Sequence, residues 1–439
     1  MRQRRITSLL TYLSAALIAM ALLPVASFAQ PALPPDVYTE PGGLGVPTSV
    51  SPSNGLVTAM VQLAPNPPAG TQSTLTQQLA SMQARVLFRT HAASNGLVVT
   101  MPASKLGQIA SAAGVASVRV IPPKYPATLN ANGTTPGEAA AAAIAGATGA
   151  GVRIGLIDRG IDYTHADFGG PGTPAADAAN NPAIIEPGSF PTAKVIGGYD
   201  FAGDAYDANA TGARAMPVPD PDPLECRTVP AGMAAPPYIG QGTHVAGLMA
   251  GFGVMNSGAT YRGPYTPAPD TSTMRISPGV APEATIYALK VFGCTGATTL
   301  LTAAIDHALD PNGDGNTADH LEVLVISLGT PFGSPDDPDA LAIDNAVRSG
   351  MVVVVAAGDT QNTFYSVNSP ASARLAIAVG ATNNSAQVIP GGFWVYTHFL
   401  SNQGNVNEGN GTGSVVTLSA TVGLRSALER EGDPVLDGQ

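Results

Sequence analysis

Charge is scarce in this 439-residue chain: charged residues make up 12% of it, and 20 Lys and Arg against 31 Asp and Glu leave a net charge of −11. No basic cluster occurs beyond the first five residues, which argues against a nucleic-acid partner. After residue 30 no apolar run is long enough to cross a bilayer, so no later membrane span is expected. Internal repeats are absent. Cysteine is limited to Cys226 and Cys294, too few for a disulfide-built scaffold, so the fold must rest on a core; 44% hydrophobic residues supply one.

What the chain has instead is glycine and proline, 50 and 39 residues, which predict tight turns and close packing of small residues. Met1 to Arg5 carry three arginines, Leu9 to Leu23 is mostly apolar, and Ala26-Ser27-Phe28-Ala29 follows the small-x-small rule for cleavage. Residues 1–29 therefore read as a secretory signal peptide, giving a secreted, extracellular protein with no membrane attachment after cleavage. Export permits a Cys226–Cys294 bridge, with two buried free thiols as the alternative.

Residues 30–54 read as a Pro/Gly/Ser-rich linker. Within residues 55–125, Leu56 to Leu63, Gly96 to Met101 and Val115 to Ile121 are strand-like, whereas Ser73 to Val86 and Ser104 to Ala113 are helix-like; this is a small α+β unit. Residues 126–150 form a second linker, alanine-rich at Glu138 to Ala145. Beyond it, Lys194 to Tyr199, Thr285 to Phe292, Glu322 to Leu328, Met351 to Ala357 and Arg374 to Val379 are expected strands. Thr243 to Gly251, Thr298 to Leu309 and Pro338 to Ser349 have helical spacing. The alternation predicts an α/β fold, a largely parallel sheet with helices on both faces. The glycines of GATGAG (Gly146 to Gly151) precede their strand instead of following it, which weighs against a nucleotide-binding loop. Pro217 to Pro237 reads as a surface insertion.

The stretch GVRIGLIDRGIDY, Gly151 to Tyr163, organises the rest. Its apolar run ends in an acid and then a glycine, as a strand buried on both faces would deliver a carboxylate to the sheet edge. It resembles the aspartate motif of subtilisin-like serine peptidases, with Arg159 where a small hydroxyl residue is usual. A second motif, GQGTHVAG (Gly240 to Gly247), matches seven of the eight positions of that family's Gly-His-Gly-Thr-His-Val-Ala-Gly. Residues 95–123 are similar to the inhibitor-type propeptide that precedes such peptidases.

The resemblance implies a subtilisin-like domain over 151–439 and hydrolysis of protein or peptide substrates through an acyl-enzyme, with the chain's own propeptide as a further partner. Asp158 takes the role of triad acid, but Gln241 stands at the position of the base histidine, and a glutamine cannot relay a proton near neutral pH. His244 and His165 match the family's non-catalytic histidines. Asp359, ending MVVVVAAGDT, replaces the asparagine that donates to the oxyanion. No Gly-Thr-Ser-Met-Ala-type segment follows; Ser414 in GTGSVVTL leads into a β-branched run and reads as a loop serine. The domain is thus expected to be truncated before its nucleophile. A catalytically impaired or inactive homologue is expected, the alternatives being a non-catalytic exported peptide-binding protein or a decayed gene product. Cys294, Thr295 and Gly296 are implied to border the substrate groove. No cofactor is required. Asp310, Asn312, Asp314 and Asp319 place oxygen ligands in a glycine-containing turn suited to Ca²⁺, without the Glu usual at the twelfth loop position.

Overall fold

The computed structural model describes residues 55–68, 70–126, 146–226, 239–358, 367–383, 398–399 and 418–421. The expected signal peptide and first linker, most of the expected second linker, Asp359 and Ser414 lie outside these residues.

Four strands open the described chain: β1 (Leu56–Leu63), β2 (Arg85–Thr90), β3 (Gly96–Pro102) and β4 (Val115–Val120). They form an antiparallel sheet in the order β2-β3-β1-β4. Helices α1 (Thr71–Ser81) and α2 (Leu106–Ala110) bury Leu75, Leu79 and Ile109 against Val61, Leu97, Val99 and Met101. The expected helix over 73–86 is therefore too long. Gln83 adopts φ 61°, a left-handed conformation that ends a helix, and the residues beyond it extend into β2. Leu87 and Phe88 of this strand reach the larger core, with the Phe88 ring 5.7 Å from that of Phe201.

The larger sheet is built on six parallel strands in the order β14-β13-β11-β6-β10-β7: β6 (Arg153–Asp158), β7 (Val195–Asp200), β10 (Thr285–Lys290), β11 (Val323–Ile326), β13 (Val352–Ala356) and β14 (Ile377–Asn383). Two short strands, β15 (His398–Phe399) and β16 (Leu418–Thr421), pair with β14. A short helix, α3 (Pro174–Ala178), precedes β7, and longer helices cover both faces, as parallel strands buried on two sides require. On one face α4 (Gln241–Ala250) packs Ala246 and Ala250 against Leu156, Ile286 and Ala288. On the other, α5 (Leu301–Leu309) and α6 (Pro338–Arg348) bury Ala304, Ile305, Ala340 and Ile343 with Leu289, Leu324 and Val353. Helix α5 starts three residues later than its spacing predicts, because Thr298 spends its main-chain groups on Lys124.

Four further short strands matter for the site or its margin. β5 (Tyr125–Pro126) pairs antiparallel with β12 (Leu328–Gly329), and β8 (Val254–Met255) pairs with β9 (Met274–Ile276). No helix among the described residues is long and apolar enough to cross a membrane.

Candidate active site and peptide groove

Strand β6 lies between β10 and β11 and carries Asp158 to the carboxyl end of the sheet, in register with Lys290. Asp158 is buried; its Oδ1 accepts the Arg159 N–H at 2.8 Å, and its Oδ2 has no hydrogen-bond donor among the described residues. Burial pushes its carboxyl well above the usual range, and the nearby Glu225 charge pushes further; the Arg159 N–H and guanidinium oppose both. The Arg159 side chain is buried too, donating to the carbonyls of Gly293 (3.1 Å) and Cys294 (2.6 Å) beside the Phe292 ring.

Helix α4 begins at Gln241, which is buried, after Gly240 in a left-handed turn at φ 87°. A side chain at Gly242 would collide with the carbonyl of Gly160, so the glycine is what lets α4 approach the β6 turn. Glu225 supplies an anion at this positive helix end, accepting from the N–H of Gly242 (3.1 Å), the N–H of Thr243 (2.7 Å) and the Thr243 hydroxyl. Burial nonetheless raises its carboxyl pKa, against the pull of those donors and of Arg159. Glu225 was not singled out from sequence; its signal was adjacency to Cys226. Cys226 and Cys294 are bridged, so the Glu225 loop is tied to the segment after β10.

The expected motifs thus converge: Asp158, Arg159, Gln241, the bridge and Cys294 share one end of the sheet. His165 does not act there. It is buried, and its Nδ1 accepts the Asp167 N–H at 3.1 Å, capping a short helical turn. Thr295 accepts from Arg214 at 3.1 Å, and Gly296 takes φ 85°. Deeper, Lys290 is enclosed between Asp200 (2.9 Å) and Asp204 (2.7 Å); burial opposes its charge, but the two carboxylates prevail and raise its pKa.

One arrangement escaped sequence reasoning altogether. The chain leaving β4 runs as an added strand between two walls. On one side the Lys124 N–H donates to the Thr298 carbonyl (2.7 Å) and the Thr298 N–H donates back (3.0 Å); on the other, Tyr125 and Pro126 pair with Gly329 and Leu328. The preceding unit is held in place by Asp306 of α5, whose carboxylate accepts the N–H groups of His91, Ala92 and Ala93 at 3.1, 2.7 and 2.7 Å.

In the acidic turn, carboxylate oxygens of Asp310, Asp314 and Asp319 lie within 4.8 Å of one another. Asp310 is buried and also accepts from Gly315 N–H and faces His91 Nε2, each at 2.8 Å; the Asn312 side-chain oxygen accepts the Asp314 N–H at 2.8 Å.

A parallel α/β layer with an aspartate at the end of its central strand and a glycine-pinned helix beside it defines the class. The subtilase family model matches residues 149–424, and the chain belongs to this family with its α/β subtilisin-like fold. Minor extracellular protease Vpr of Bacillus subtilis is 29% identical over 239 residues, 54% of this chain and 21% of Vpr. Subtilisin DY of Bacillus licheniformis is 29% identical over 248 residues, 55% of this chain and 60% of that protein. The chain therefore spans between a fifth and three fifths of these relatives' length. Among solved structures, fervidolysin from Fervidobacterium pennivorans aligns with a TM-score of 0.46 at 16% identity, over 79% of this chain and 45% of that one.

Proposed function

We propose that a chain of these 439 residues is an exported subtilase homologue that holds extended peptides in its groove without hydrolysing them. The observation that carries this reading is Gln241 at the first position of α4, the place of the family's base, beside the buried Asp158. A triad needs an imidazole to take the nucleophile's proton and return it, and an acid to orient that imidazole. Gln241 cannot do the first. Asp158, with a glutamine at the base's position, has no imidazole of the family motif to orient. Asp359 at the oxyanion position would repel the developing charge, and one lost donor costs about 3 kcal/mol of transition-state stabilisation. Loss of the base alone costs on the order of 10⁶ in turnover, a value measured on a subtilisin, a relative of this chain.

Binding needs none of these groups. The added strand formed by Lys124 to Pro126 supports a groove that pairs with extended main chain, a recognition mode that any peptide able to extend can use. The same contacts support reading residues 55–125 as a propeptide whose tail enters the groove of its own chain. The arginines and apolar run at the N-terminus support export. Asp310, Asp314 and Asp319, with the Asn312 oxygen, are the residues that would hold a hard cation such as Ca²⁺, the oxygen-only donor set being the fit; its contribution is to stabilise the turn.

The test is turnover of an unstructured protein substrate by the exported chain and by Gln241→His. Cleavage by neither is expected. Cleavage by the unmodified chain, abolished in Asp158→Ala, would overturn the reading by requiring a serine and a base other than those of the family motif.

A further inference from the structure

The main-chain bonds on both sides of the groove say nothing about which peptide it prefers, because any residue with an N–H and a carbonyl can make them. Discrimination has to come from side chains. Those of the resident segment differ sharply. Tyr125 is 46% exposed and only its hydroxyl is engaged, accepting from the Asn209 amide at 2.9 Å. The Lys124 side chain, by contrast, is wholly buried. Its ammonium lies 2.9 Å from an Asp339 oxygen and donates to the Pro122 carbonyl at 3.1 Å. Asp339, in the first turn of α6, is itself fully buried, and its other oxygen accepts the Thr302 hydroxyl of α5 at 2.6 Å.

We infer that Asp339 makes this position of the groove selective for a basic side chain, so that its ligands are extended peptides carrying a lysine or arginine where Lys124 now sits. This rests on the peptide-binding reading above and specifies its ligand. A carboxylate enclosed between two helices with a single hydroxyl donor needs a counter-charge, and the only route by which the resident segment supplies one is the side chain of the strand that fills the groove. A neutral occupant would leave Asp339 buried without a counter-ion, so selectivity is written into the pocket more firmly than into the strand pairing. The net charge of −11 favours the approach of cationic peptides over acidic ones. In this structure the occupant is the chain's own Lys124.

The test uses the full exported chain carrying Lys124→Met, which withdraws the resident cation, and two labelled pentapeptides: Pro-Pro-Lys-Tyr-Pro and the same peptide with methionine for lysine. Binding is followed by anisotropy and peptide integrity by mass spectrometry. The lysine peptide is expected to bind at least tenfold more tightly than the methionine peptide, with the ratio falling below twofold in Lys124→Met/Asp339→Asn. Should Lys124→Met not be recovered folded, Tyr125→Pro removes that residue's N–H from the strand and loosens the segment while Lys124 and Asp339 both remain; the same preference is expected there. Equal binding of both peptides would overturn the inference about Asp339 and leave the groove reading intact. Binding of neither at millimolar concentration would overturn both. Cleavage of a bound peptide would overturn the non-hydrolytic reading alone, and a lysine preference seen beside it would still support the pocket.

Discussion

The two ends of one groove have fared differently. Around Asp158, each chemical role in the family pattern depends on one side chain, and Gln241 and Arg159 stand there in a packed cluster of buried polar groups. Between Thr298 and Leu328–Gly329, the chain's own added strand is held by main-chain groups, with family-atypical residues nearby. On the proposed reading, strand addition tolerates substitution where proton transfer does not. Only where a side chain enters a closed pocket, as Lys124 does, does the binding end become as sensitive to sequence as the catalytic end.

The comparison breaks most readily at that pocket. Lys124→Met should leave Asp339 uncompensated and cost on the order of 3–5 kcal/mol of unfolding free energy, most of it recovered when Asp339→Leu is added; denaturant titration of the four chains of the cycle measures the coupling. At the other end, replacing Cys226 and Cys294 together by alanine should cost about 2–4 kcal/mol and release the Glu225 loop from the segment after β10, read as faster amide exchange at Gly242 and Thr243.

The pH dependence sharpens the contrast between buried acids and the exposed surface. Burial, more than the opposing pull of His165 and the Gly253 N–H, holds the Asp167 carboxyl up at about 6, above its ordinary 3.8. The folded state then binds a proton that the unfolded state has already released, so this residue lowers unfolding free energy as pH rises from about 4 to about 6. Asp167→Asn should become more stable relative to the parent across that window, by on the order of 1–3 kcal/mol, and the gap should stay constant above it. Smaller still is the metal effect: millimolar Ca²⁺ should raise the melting temperature by a few degrees, and Asp314→Ala should abolish the rise.

Much of the architecture could be read from the chain because parallel strands announce themselves as apolar runs. Strands β6, β10, β11 and β13 are short hydrophobic stretches bounded mostly by glycines and charged residues. Asp158 and Gln241 could be placed at the end of β6 and the start of α4 for the same reason, each sitting in a short contiguous motif. Strand β2 was missed because TLTQQLASMQARV keeps a helical spacing past the point where Gln83 turns the backbone left-handed. Glu225 was hidden in a proline-rich insertion with no periodicity. The Lys124–Asp339 pair was beyond local patterns altogether: one partner followed a strand in what read as the run-up to a linker, and the other looked like an ordinary acid at a helix start, favourable there for its charge alone. Pairings made by tertiary packing between distant segments leave no trace in spacing.

The most direct test of the account is to hold the purified, folded Lys124→Met chain with Pro-Pro-Lys-Tyr-Pro at saturation and weigh the peptide after prolonged incubation. Saturable binding with the peptide mass unchanged is the predicted result. Fragments appearing in step with binding, and absent in Asp158→Ala, would contradict it and show that the groove still cuts what it holds.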